Sequence, residues 1–328
     1  MTIICENLVK IYKQTGVDVL ALQGLDLTIN DGEIIGIVGE SGSGKSTLLN
    51  IIGGLDSPTA GKCIVDGVEV SQLGQTQLDE YRSKKVGFLW QQPSRNLDFF
   101  LTVRENVMLP MQFTNVDSVE KERRTEFLVG LVGLSERINH LPSQLSGGEQ
   151  QRTAIAVALA NQPNLVLADE PTGELDLTLS VEVYRILNEL NKKSGATVII
   201  VSHDPSLANY VDRVIAIRDG KTSTETVKIG ALSPSNEEQT EIEESFTEEY
   251  LMLDSAGRVQ IPKKVLKQFG IGSKVKMRTD SGVLMLDAVD GDNYIQPPDD
   301  DFAADLFGDE KDTQPVKKSG LDFLKRRE

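Results

Sequence analysis

Three short runs of nearly uninterrupted apolar residues mark the chain: Glu33–Val38 (EIIGIV), Leu165–Ala168 (LVLA) and Thr197–Val201 (TVIIV). Runs of this length without polar alternation have the character of strands covered on both faces. Val86–Trp90 reads as a further strand. TLLNIIGGL from residue 47 and TAIAVALA from residue 153 carry apolar residues at helical spacing, so the first 230 residues predict an α/β core. Beyond residue 246 the signals shorten. Tyr250–Leu253 alternates weakly, DSAG makes a turn, and Arg258–Ile261 resumes an extended pattern. Pro262 suits the first position of a short helix and Gly270 its end, and two more strands flank Asp280-Ser281-Gly282. No run approaches the ~18 apolar residues that cross a bilayer.

Charge divides the 328-residue chain. The net charge is −16, from 34 basic and 50 acidic residues. Residues 1–230 hold 21 and 29 of these, and the much shorter remainder holds 13 and 21. Residues 231–249 (ALSPSNEEQTEIEESFTEE) contain seven acids and no base, the composition of a solvated, self-repelling linker. After about residue 290 the chain turns Pro- and Asp-rich and ends in the basic segment LDFLKRRE, a disordered acidic tail by composition. The expected organisation is a large domain at 1–230 with a helical subdomain at about 92–160, an acidic linker at 231–245, a small β-rich domain at 246–290, and a tail at 291–328. The N-terminus MTIICENLVKIYK lacks the apolar stretch of a signal peptide. Cys5 and Cys63 cannot make a disulfide framework and read as small apolar side chains. The expectation is a cytoplasmic protein that reaches a membrane only through a partner.

Candidate chemistry sits at the ends of the apolar runs. GESGSGKS follows the first, with Gly39, Gly44, Lys45 and Ser46 in the pattern G-x-x-x-x-G-K-[ST] and a helix-like stretch behind it. Glycines let backbone N–H groups approach phosphates, and the helix N-terminus adds a positive dipole end. Lys45 can supply a point charge and Ser46 a hydroxyl for Mg²⁺. A second anion-binding helix start is LSGGEQQR, Leu145–Arg152, where Ser146 suits the N-cap and Gly147 and Gly148 leave the first-turn amides uncovered. The run Leu165–Ala168 ends in Asp169-Glu170, and strand alternation would put one carboxylate on each side of the pleat. One could hold Mg²⁺ while the other faces water.

Taken together, these residues resemble the ATP-binding-cassette (ABC) ATPases over roughly residues 1–225. GESGSGKST matches the Walker A loop, LSGGEQQR the signature and LVLADEP the Walker B strand. The resemblance implies ATP and Mg²⁺, with Gly39, Ser41, Gly42, Ser43, Gly44, Lys45, Ser46 and Thr47 around the phosphates. It further implies Asp169 on the metal, Glu170 as base for water, Gln91 as the Q-loop glutamine, Asp176 in the D-loop and His203 as the switch histidine. Tyr12 would stack on adenine. His140 lacks such a context and reads as a packing or capping residue. Two copies would enclose the nucleotide, one contributing Ser146–Gly148 to the other's γ-phosphate.

Within the family, NIIGGLDSPTAG, LTVRENVMLPM and HLPSQLSGGEQQR are similar to the lipoprotein-release and macrolide-export (MacB/LolD/FtsE-like) type. Trp90 and PSRNLDFFLTV depart from it; the latter region faces the membrane partner in such proteins. The later phrase LDSAGRVQIPKKVLKQFGIG resembles the AbrB/SpoVT-type swapped-hairpin domain, a fold of two interlocked chains. Seven basic and six acidic side chains over 246–290 supply little of the phosphate-directed attraction that DNA binding needs, so dimerisation is expected there and DNA binding is not. The whole implies a P-loop ABC ATPase core with a helical subdomain and a swapped-hairpin C-terminal domain. Such a chain would be the ATPase subunit of an integral membrane permease. Its rivals are a soluble DNA-binding regulator and an envelope-remodelling ATPase that moves no solute.

Overall fold

The computed structural model describes residues 1–14, 17–173, 175–229, 246–280 and 283–289. The linker at 231–245, the tail at 291–328 and the turn residues Ser281 and Gly282 lie outside them. The chain opens with β1 (Ile3–Gln14) and β2 (Val17–Ile29), then the buried strand β3 (Ile34–Val38) and helix α1 (Lys45–Ile52). β4 (Ala60–Val65) and β5 (Val68–Glu69) complete an antiparallel sheet in the order β2-β1-β4-β5. Cys5 and Cys63 face each other in its β1–β4 register, and both thiols are buried. α2 (Gln75–Lys84) and β6 (Val86–Leu89) follow. Then come α3 (Val103–Met108), α4 (Ser118–Leu131) and α5 (Gly147–Leu159), with no strand among the described residues between them. This is the stretch whose sequence predicts a helical subdomain.

The remaining elements build the main sheet. β7 (Leu165–Asp169), α6 (Leu177–Ser194), β8 (Thr197–Val201), β9 (Arg213–Arg218) and β10 (Lys221–Ile229) lead to β11 (Phe246–Leu251). The strand order is β11-β10-β9-β3-β8-β7-β6, parallel from β9 to β6 and antiparallel at the β10–β11 edge. The sequence assigns residues 246–251 to the small C-terminal unit; here they form the edge strand of the large sheet, from Thr224↔Leu251 to Ile229↔Phe246. Two further bonds extend that join. Met252 N–H donates to the Ser223 carbonyl (3.0 Å), and Ser255 N–H to Asp26 Oδ2 (2.8 Å). α7 (Lys263–Gln268) and the hairpin β12 (Val275–Asp280) and β13 (Val283–Ala288) finish the described chain.

Strand alternation explains why the apolar runs are continuous. Ile34 and Val38 of β3, Val166 and Ala168 of β7, and Val198 and Ile200 of β8 pack into a core with α3–α6. Their neighbours Ile35, Ile37, Leu165, Leu167, Ile199 and Val201 pack on the other face with α1 and the antiparallel sheet. With both faces covered, the interior positions of these strands favour apolar side chains. Polar residues are displaced to the carboxyl ends of the parallel strands, the edge where open α/β sheets bind ligands. Among the described residues no helix is long and apolar enough to cross a membrane.

Candidate functional site

The loop between β3 and α1 excludes side chains by geometry. A Cβ on Gly39 would lie 2.2 Å from the Ile217 carbonyl oxygen, and one on Gly44 (φ 103°) 2.5 Å from the Ala21 carbonyl. Ser41 and Gly42 form the exposed apex. Lys45 is buried, and its Nζ donates to the carbonyls of Gly39 (2.7 Å) and Glu40 (2.8 Å). Burial pushes the Lys45 ammonium pKa down, while the carboxylates of Glu170, Asp169 and Glu40 pull it back. Ser43 Oγ is buried without a hydrogen-bond partner. An orphaned hydroxyl and an ammonium held by loop carbonyls, at the positive end of α1, suit a phosphate chain.

Asp169 follows Leu165 and Leu167 on the face of β7 that meets α1. Its Oδ1 therefore accepts from Ser46 Oγ of the first turn of α1, at 3.0 Å. Burial raises the Asp169 pKa, against the hydrogen bond from Ser46. A hydroxyl and a carboxylate are hard oxygen donors, which fits Mg²⁺, an ion that keeps waters and takes phosphate oxygens as further ligands. Glu170 departs from the alternation expected of a continuing strand. It adopts a left-handed φ of 48°, and its N–H donates to the Val201 carbonyl (2.9 Å). The strand ends at Asp169, so the turn and not the pleat aims Glu170. Its Oε2 lies 3.3 Å from Nδ1 of His203, which follows β8.

Gln91 follows β6, and its Nε2 lies 3.0 Å from where a Cβ on Gly173 would stand, against the turn after Glu170. Lys45, Ser46, Gln91, Asp169, Glu170 and His203 therefore come off the carboxyl ends of β3, β6, β7 and β8. Other expected residues make their contacts elsewhere. Ser146 caps α5, accepting from Glu149 N–H (3.3 Å) while Glu149 Oε2 accepts from Ser146 N–H (2.8 Å). Gly147 is exposed; a Cβ on Gly148 would meet Leu179 Cδ1 at 2.7 Å. Asp176 accepts from Leu179 N–H (2.9 Å) as the N-cap of α6, so the starts of α5 and α6 meet around Leu179. The His140 carbonyl accepts from Val103 N–H (2.9 Å), and its ring Nε2 lies 3.2 Å from Arg137 Nη1.

Two side chains to which the sequence gives no separate role, Gln151 within the signature and Asp56 within NIIGGLDSPTAG, hold this arrangement. Gln151, buried on α5, donates from Nε2 to the Pro171 carbonyl (2.8 Å) and the Trp90 carbonyl (3.4 Å), tying α5 to the turns beyond β6 and β7. Asp56 accepts from the Tyr12 hydroxyl (2.9 Å), Lys10 Nζ (2.5 Å) and Ser57 N–H (2.7 Å). Lys10 Nζ also lies 4.9 Å from the Tyr12 ring centre. Burial raises the Tyr12 pKa. Burial also pushes Asp56 up, but its bonds from Lys10, Tyr12 and Ser57 win and hold the carboxyl below its ordinary range.

Residues 22–173 match a family model described as ABC transporter. Over 212 residues, 65% of this chain, the sequence is 46% identical to an uncharacterized ABC transporter ATP-binding protein of Thermotoga maritima, covering 89% of it. Among solved structures, the dimeric post-hydrolysis state of the ATP-binding cassette MJ0796 bound to ADP and Pi is similar, with a TM-score of 0.64 and 40% identity over 68% of this chain and 97% of that one. CbiO1 of Clostridium perfringens, part of the ABC transporter complex CbiONQ, has a TM-score of 0.62 and 26% identity over 68% and 87%.

The low Asp56 pKa has a pH signature. Its carboxylate contributes stability above the unfolded value of 3.8 and loses it as the pH falls through the lower folded value. Asp56→Asn should destabilise the chain by about 1 kcal/mol near neutral pH. The difference from the parent should close under acid, read by urea unfolding at the two pH values. An equal difference at both would contradict the ion pair's role.

Proposed function

The chain belongs to the ATP-binding proteins of ABC transporters, and on that premise we propose that it drives a permease carried on a separate, membrane-embedded chain. It hydrolyses ATP. The observation that carries the site assignment is the Ser46–Asp169 hydrogen bond with the Glu170–His203 pair beside it. Ser46, Asp169 and Gln91 would hold Mg²⁺, which when bound neutralises charge on the transferred phosphoryl oxygens. Lys45 leaves its loop carbonyls for the β- and γ-phosphates. Glu170 draws a proton from the attacking water, and His203 fixes the γ-phosphate. Tyr12 stacks on adenine. A second copy presents its Ser146–Gly148 helix start and Asp176 across the nucleotide. Most of the rate then comes from positioning and from fixed charge, not from covalent chemistry.

The permease would dock on the helical subdomain. Phe99, Phe100, Leu109 and Phe113 are exposed there, with Phe100 91% exposed, apolar side chains of the kind that mark a protein interface. The assignment to the MacB/LolD/FtsE-like type rests on NIIGGLDSPTAG, LTVRENVMLPM and HLPSQLSGGEQQR, and it implies the cytoplasmic face of the membrane. The C-terminal module is the second proposed interface. Leu253, Phe269, Met277 and Leu284 are each at least 60% exposed, and a fold this small needs further apolar burial. A second copy of the module, interlocked as in AbrB-like domains, would supply it and keep two ATPase cores at high effective concentration.

Glu170→Gln should bind MgATP and slow its hydrolysis by about 10²–10⁴-fold, the usual loss of general-base help. Near-normal steady-state turnover of the purified variant would remove Glu170 from the mechanism. Light scattering without nucleotide should give a dimer for the full chain and a monomer for a chain ending at Met252, which keeps β11 in place. A monomeric full chain at micromolar concentration would contradict dimerisation through the module.

A further inference from the structure

We propose that Tyr184 is a positioning residue for hydrolysis, its single hydroxyl tying the turn that carries Glu170 to the turn that carries His203. Tyr184 lies on α6 and is wholly buried, with its ring stacked on Tyr210 at a centroid distance of 5.4 Å. Its hydroxyl oxygen is 2.9 Å from Thr172 Oγ1, 3.2 Å from Ser202 Oγ and 3.3 Å from Asp204 Oδ2. Thr172 stands two residues after Glu170, and Ser202 and Asp204 flank His203 on either side. A phenol carries one proton and two acceptor sites. Donating to Asp204, it can accept from both Thr172 and Ser202, so one oxygen satisfies all three partners. Burial pushes this hydroxyl up to about 12, and it stays protonated at every pH at which the enzyme would work.

Glu170 needs such support. Its left-handed backbone is strained for a residue with a Cβ, and strain of this kind persists only where the surroundings over-determine it. The bond from Glu170 N–H to the Val201 carbonyl fixes the turn from one side. The Thr172–Tyr184 bond fixes it from the other, and the same oxygen sets the His203 turn. The Glu170–His203 distance is thereby set by α6, whose first turn is capped by Asp176 at the proposed seam between copies. The role rests on Glu170 and His203 being the hydrolytic pair.

The test is Tyr184→Phe in the full-length chain, which keeps the ring on Tyr210 and removes the three bonds. We expect kcat to fall roughly tenfold, within the loss of up to about a hundredfold that a 1 Å misplacement causes. KM for MgATP should stay unchanged, because the phosphate loop and Tyr12 are untouched. In a Glu170→Gln background the same substitution should lower the single-turnover rate by less than it does in the parent, since the base is gone and only His203 is still being positioned. An unchanged kcat would overturn the proposal, as would a loss confined to KM, or an equal loss in the Glu170→Gln background. Should Tyr184→Phe fail to fold, Thr172→Val removes one bond of the set and should lower kcat in the same direction, with the same split. If Glu170→Gln itself turns over normally, the hydrolytic pair is wrong; if it is slow and Tyr184→Phe is not, only the tyrosine's role falls.

Discussion

Ser46 donates to Asp169 across 3.0 Å, joining the first turn of α1 to the end of β7. The bond spans the sheet, because β8 lies between β3, which feeds α1, and β7. Helix α1 must therefore cross the sheet closely, and glycines at both of its ends permit this. Gly39 and Gly44 clear the backbone at its start, and a Cβ on Gly53, at its end, would collide with Phe88 and Leu167. The helix, its dipole and its lysine are thus fixed relative to the strand that carries the carboxylate.

Other parts of the site depend on that approach. With Asp169 committed to α1, Glu170 is free to turn away from the strand, and a bond to the Val201 carbonyl directs it toward His203. Asp56 extends the same logic to the far end of α1. Its N–H donates to the Asn50 carbonyl, while its carboxylate holds the Tyr12 hydroxyl. The β3–α1 loop and Tyr12 are joined through one helix. On the other face, Gln151 links α5 to the turns beyond β6 and β7, so movement of the helical subdomain reaches residues next to Gln91 and Glu170.

What the sequence made legible was what is contiguous. The phosphate loop is read within eight residues because turn, helix start, lysine and hydroxyl must follow one another, and the buried strands are read because both their faces are covered. Contacts assembled from distant segments left no pattern. Asp56 meets Tyr12 across 44 positions, and Tyr184 sits at an ordinary apolar helix position, with nothing local to show that its hydroxyl reaches Ser202. Glu170 reads as the continuation of a strand, because adjacency cannot reveal a left-handed turn. The edge strand Phe246–Leu251 is hidden in the same way: its three polar residues include two glutamates and adjoin an acidic stretch, while its partner, Lys221–Ile229, precedes a long separation in sequence.

The central claim is that Ser46 and Asp169 serve one metal. Calorimetry of MgATP binding to Ser46→Ala, Asp169→Asn and the double variant addresses it directly. If the two residues hold a shared ion, their losses overlap: the double variant should bind hardly worse than the weaker single one, with a coupling of about 0.5–3 kcal/mol, and the coupling should vanish when Mg²⁺ is withheld. Losses that simply add, or that persist unchanged without Mg²⁺, would contradict a common site.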